Sequence, residues 1–183
     1  MMPTPPLGLR NRLAETILSA LGDVAARREL QHVAVSEDVD WIRDARPEHA
    51  ALVRARARRA SEALATCPPL AREPSLHEAL AGAAALFDAG LHFEVHELLE
   101  PHWVRAHGAE RQALQGLIQV AVGFQHLANS NLEGARSLLA EGSRRLREGR
   151  LRGLDLDRFA DAVPGATSRL TEPVVVPPFP RTT

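Results

Sequence analysis

The stretch Phe87-Asp88-Ala89-Gly90-Leu91-His92-Phe93-Glu94-Val95-His96-Glu97-Leu98-Leu99-Glu100-Pro101-His102-Trp103 reads as the end of one helix, a glycine stop and the start of the next. Three carboxylates and three imidazoles fall between positions 92 and 102. At about 100° per residue, His96, Glu97, Glu100 and Glu94 form one continuous polar arc. Val95, Leu98, Leu99 and Trp103 take the rest of the helix and are expected in the core. His96 and Glu100, at i and i+4, can reach one ion together. Pro101 removes a donor to the Glu97 carbonyl. It either opens a pocket beside the carboxylates or kinks the helix to seat Trp103.

The following helix, over 109–129, is the most apolar of the chain, yet Gln115, Gln119 and His126 share one stripe with Val122. Buried amides and imidazoles need partners. Gly116 and Gly123 form a second stripe that permits close backbone approach. Folding the pair into an antiparallel hairpin at Gly108 places His96 opposite Gln119 and Glu100 opposite Gln115. The same fold sets His126 beside the 89–90 turn. The expectation is a polar site shared by two helices.

Around this pair, apolar residues recur three and four apart and strand signals are nearly absent, so the fold class is all-α, a multi-helical bundle built on antiparallel hairpins. Further helices are predicted over 7–21, 24–33, 47–66 and 75–90, giving with the rest six to eight in all. Residues 36–44 form an acidic connection around Trp41, and Pro47 suits a first helical turn. Ser75 with Glu78, and Ser130 with Glu133, have capping-box spacing, and the second pair opens a helix to Glu148. Asp155 can cap a short last helix. The organisation expected is an N-terminal helical extension over 1–70 that packs on a core over 71–165. A proline-rich extended tail follows over 166–183, lying over the bundle or disordered.

Composition limits the chemistry. All 22 basic residues are arginine, set against 23 acidic ones. Without lysine there is no Schiff-base or pyridoxal chemistry and no standard phosphate-binding loop. Cys67 stands alone, which rules out an internal disulfide and a multi-thiolate zinc site. The balanced charge gives no reason to expect nucleic acid or an anionic membrane as partner. Arg54, Arg56, Arg58 and Arg59 wrap around their helix and read as a solvated face with local ion pairs. No run approaches a membrane span, and a cytoplasmic location follows by default.

The motifs Phe87-x-x-Gly90-x-x-Phe93-Glu94-x-His96-Glu97-x-x-Glu100-x-x-Trp103, Gln115-Gly116-Leu117-Ile118-Gln119 and Asn131-x-x-Gly134-Ala135 resemble the bacterial and archaeal domain-of-unknown-function family numbered 309, over roughly 76–146. The resemblance implies a small helical bundle and brings the label "predicted metal-dependent hydrolase". By position, its motif residues here are Glu94, His96, Glu97, Glu100, Trp103, Gln115, Gly116 and Gln119, and His126 matches a frequent histidine. His92 and His102 stand outside the motif.

Three readings of the arc follow. In the first, His96, Glu97 and Glu100 hold a divalent metal (Zn, Mn or Fe), Glu97 or Glu94 acts as general base, and Gln115, Gln119, Trp103 and His126 bind or orient. The run His96-Glu97-x-x-Glu100 lacks the second histidine of a zincin helix. In the second, the same residues form a buried structural network in a non-catalytic scaffold. In the third, the arc is a solvated face. The partner would be a small molecule or a protein, and a homo-oligomer is compatible with the pattern.

Overall fold

The structure, a computed structural model, describes residues 2–151, 153–167 and 174–181. Within them the chain is all-helical: α1 (Leu7–Ala20), α2 (Val24–Val35), α3 (Asp40–Arg43), α4 (Pro47–Ala65), α5 (Leu76–Asp88), α6 (His92–Arg105), α7 (Gly108–Ala128), α8 (Leu132–Glu148) and α9 (Leu156–Thr167). The element beyond the six to eight expected is α3, one helical turn inside the acidic connection, with Ile42 buried beneath it.

Local chemistry sets most of the boundaries. Ser75 accepts from the Glu78 amide while the Glu78 carboxylate accepts from the Ser75 amide at 2.8 Å, so the expected capping box opens α5. The Ser75 hydroxyl, which also donates to this carboxylate at 2.7 Å, and then the Ser75 amide hold the Glu78 carboxyl below its ordinary pKa. At the other end Gly90 adopts φ +76°, the Leu91 amide reaches back to the Leu86 carbonyl, and the Gly90 amide to Phe87. That double bond pattern at a left-handed glycine closes α5 and aims α6. Asp155 caps α9 through the Arg158 amide, as expected.

Two boundaries differ from expectation. The cap of α8 is Asn131, which accepts from the Gly134 amide, and not Ser130. Ser130 is the left-handed turn residue, φ 62°, so its side chain is not placed to cap. The hairpin turn expected at Gly108 falls at 106–107. Helix α6 ends at Arg105, Ala106 is extended, and Gly108 opens α7 with φ +56°.

Helices α1, α2 and α4 pack on one another, α5 through α9 form a second run of neighbours, and α1 against α6 and α4 against α5 join the two. One continuous apolar cluster runs through both, from Leu13 and Ile17 of α1 to Val163 of α9. The widest helix interface is α7 on α8. Gly116 and Gly123 lie in it as the close-approach stripe. A Cβ on Gly116 would sit 3.0 Å from the Gly142 carbonyl, and one on Gly123 would sit 2.6 Å from Leu139 Cγ.

The described part of the tail, 174–181, is extended and lies over the bundle. Phe179 is buried and packs its ring against Phe87 and Phe159. Its amide donates to Asp88 Oδ1 at 2.8 Å, and Arg181 pairs with the other oxygen of the same carboxylate. The rest of the tail, including Pro173, lies outside the described residues. Among the described residues no helix is long and apolar enough to cross a membrane.

Candidate functional site: the polar face of α6

Val95 and Leu99 of α6 are fully buried, and Leu98 and Trp103 pack partly buried against the core, as the periodicity predicts. The opposite face gathers His96, Glu97 and Glu100. Their ligand-capable atoms all lie within 4.8 Å of one another. His96 Nδ1 stands 3.2 Å from a Glu97 oxygen, and His96 Nε2 stands 4.0 Å from a Glu100 oxygen. Donor atoms bound at 2.0–2.2 Å to one ion lie no more than about 4.4 Å apart. Small side-chain rotations therefore bring the three onto a shared centre. All three are partly or largely exposed, which leaves room for water or substrate as further ligands.

The face is flanked by α1, which sequence reasoning did not place there. Arg10, Asn11, Ala14, Glu15 and Leu18 of α1 meet Phe93, His96 and Glu97 around a groove of about 400 Å³. The Arg10 guanidinium stacks on the Phe93 ring at 4.2 Å. Glu97 also lines a second groove of about 870 Å³ with Pro101, His102 and Arg105, walled by the end of α1 and residues 70–74. Pro101 thus borders open space beside a carboxylate.

The expected facing of arc and amide stripe is not realised as hydrogen bonds among the described residues. No hydrogen bond joins His96 to Gln119 or Glu100 to Gln115 among the described residues. The Gln119 side-chain oxygen is buried without a partner, as is Trp103 Nε1. Arg111 covers the Trp103 ring at 4.3 Å and bonds the Trp103 carbonyl, so this tryptophan is held by α7. His126 Nδ1 pairs with the Asn131 amide at 2.8 Å and so belongs to the α7–α8 turn.

Glu94 does not join the cluster. It is fully buried, and both of its oxygens accept from Arg56 Nη2, at 3.1 and 2.8 Å. Arg56 is itself only 1% exposed, which corrects the expectation of a solvated arginine face at that position. The signal was present in the sequence. Val53, Arg56, Ala57, Ala60 and Leu64 share the buried stripe of α4, so Arg56 stands where an apolar residue belongs. His92, outside the motif, is buried beside this pair and stacks edge-on to Phe87. Burial first, and the Arg56 charge second, push its pKa down to about 3. It is a neutral core histidine at physiological pH.

A helical bundle with a histidine–carboxylate cluster along one helix is the class this geometry defines. Residues 80–138, from α5 into α8, match the model of the family described as Domain of unknown function (DUF309). No curated protein and no solved structure matches the chain.

Proposed function

We propose that the exposed face of α6 binds a divalent cation through His96, Glu97 and Glu100, and that the protein uses it in a hydrolytic reaction. The observation that carries the reading is the convergence of one imidazole and two carboxylates, at positions 96, 97 and 100, on a single helix face. Nitrogen and oxygen donors without thiolate suit Zn, Mn or Fe(II). When bound there, such a cation would polarise a substrate oxygen and make its water ligand more acidic.

The chain's own residues then have distinct tasks. His96 and Glu100, one turn apart, hold the cation from the same side. Glu97, flanked by two grooves, completes the ligand set or takes the proton from the attacking water. Arg10 and Asn11, across the narrower groove, are placed to receive a polar substrate group.

Equilibrium dialysis against Zn, Mn and Fe(II), followed by elemental analysis, tests the reading. Near-stoichiometric uptake by the wild type, lost in His96→Ala and in Glu100→Gln, is expected. A wild type that takes up none of the three overturns it.

A second reading, a non-catalytic scaffold, draws on one observation. Glu94 is spent on a buried ion pair that ties α4 to α6, so at least one motif carboxylate serves architecture.

A further inference from the structure

Away from the α6 face, a groove of about 790 Å³ runs between α4 and α5. Its floor is apolar, built from Ala63, Leu80, Ala84 and Ala85, and Pro180 and Arg181 of the tail close one end. A smaller cavity of about 380 Å³ continues it beneath Val174, Val176 and Pro177 toward His92. Arg59 and Asp88 line both.

The charges along this path are unequal in their commitments. Of the four clustered arginines of α4, Arg54 donates to the Ser36 carbonyl, Arg56 to Glu94 and Arg58 to the Ala34 carbonyl. Arg59 makes no hydrogen bond or ion pair among the described residues, and its guanidinium lies close over the Gly90 turn. Asp88 is neutralised by Arg181. Glu62 lines the same groove without an ion-pair partner among the described residues. The site therefore offers one uncommitted planar cation above an apolar trough, with a nearby carboxylate that repels a doubly charged anion.

We propose that the α4–α5 groove binds an organic monocarboxylate with an apolar body, its carboxylate held by Arg59. A guanidinium matches a carboxylate with two parallel donors. The volume lies within the range of small-molecule sites, whose walls are mostly apolar with a few oriented polar groups. The α6 face is separate, so this site stands or falls independently of metal binding.

Calorimetric titration of the full chain with octanoate, octanol and inorganic phosphate tests it, alongside Arg59→Gln and the control Arg12→Gln. Saturable octanoate binding is expected, weakened at least roughly tenfold by Arg59→Gln and unchanged by Arg12→Gln. Octanol and phosphate are expected to bind more weakly still. Arg59 is exposed, so its loss leaves the fold intact, and equal melting curves verify that. No saturable octanoate binding overturns the proposal, and so does equal affinity in Arg59→Gln. Octanol binding as tightly as octanoate reduces the groove to an apolar trap, and phosphate binding as tightly makes it a general anion site. Either result rejects the monocarboxylate assignment.

Discussion

One nitrogen of Arg56, Nη2, donates to both carboxylate oxygens of Glu94, 38 residues along the chain, and neither side chain reaches solvent. This pair bolts α4 to α6 beneath the surface that carries His96, Glu97 and Glu100. Arg56 Nη1 also lies 3.5 Å from the Pro3 carbonyl, while its Nε has no partner.

Removing one member strands the other. Glu94→Ala leaves a buried guanidinium without its counter-charge and is expected to cost about 3–5 kcal/mol. Replacing both residues with methionine is expected to recover most of that loss, because no ion then remains to be desolvated. Urea unfolding of the two variants beside wild type checks the difference. If the single change is silent, the pair carries no stability.

His92 gives the protein an acid-side liability. Its folded pKa, about 3, lies below the unfolded value of about 6.5. Above pH 6.5 it is neutral in both states and contributes no pH dependence. Between these values the unfolded chain takes up a proton that the folded chain refuses. Stability therefore falls with pH, by about 1.4 kcal/mol per unit. Relative to His92→Gln, the wild type is expected to lose about 2 kcal/mol between pH 7 and pH 5. Parallel denaturation series at the two pH values would reveal a matched slope if His92 is instead freely protonated.

Glu97 is expected to behave in the opposite way to Glu94. It is partly exposed, and among the described residues its ion-pair partner is His96. Glu97→Gln should shift stability by no more than about 0.5 kcal/mol, while weakening cation uptake. Denaturation midpoints read beside dialysis separate the two effects. A large loss of stability would place Glu97 in the framework and not in a site.

The α7–α8 seam depends on missing side chains. Gly123→Ala puts a Cβ 2.6 Å from Leu139 Cγ and 3.2 Å from the Leu139 amide nitrogen, so α8 must retreat. Overpacking of this kind costs about 1–3 kcal/mol. Thermal unfolding of Gly123→Ala is expected to show a lower midpoint. An unchanged midpoint would mean that the helices slide apart without penalty.

Local features were legible before the coordinates. Ser75 and Glu78 sit three apart and need nothing beyond their own turn to cap α5, and the same holds for Asp155. Asn131 escaped notice because its role depends on Ser130 turning left-handed and on His126 reaching across from α7. Periodicity told which residues of α6 share a face. It could not tell which neighbour borders that face, because α1 lies far away in sequence. Arg56 stands on the apolar stripe of α4, which marks it as buried, but its counter-ion Glu94 lies two helices on and is not readable locally. The grouping of His96, Glu97 and Glu100 needed only the helix step, whereas the orphaned Gln119 shows that a polar stripe in an apolar helix does not guarantee a partner.

Gly116 and Gly142 let the α7 and α8 backbones approach closely, which is expected to shield the peptide groups between them from solvent. Deuterium should enter those amides last of all. Helix α6 packs on α7, so the helix that presents the cluster leans on this closed seam, and its backbone is expected to exchange slowly as well.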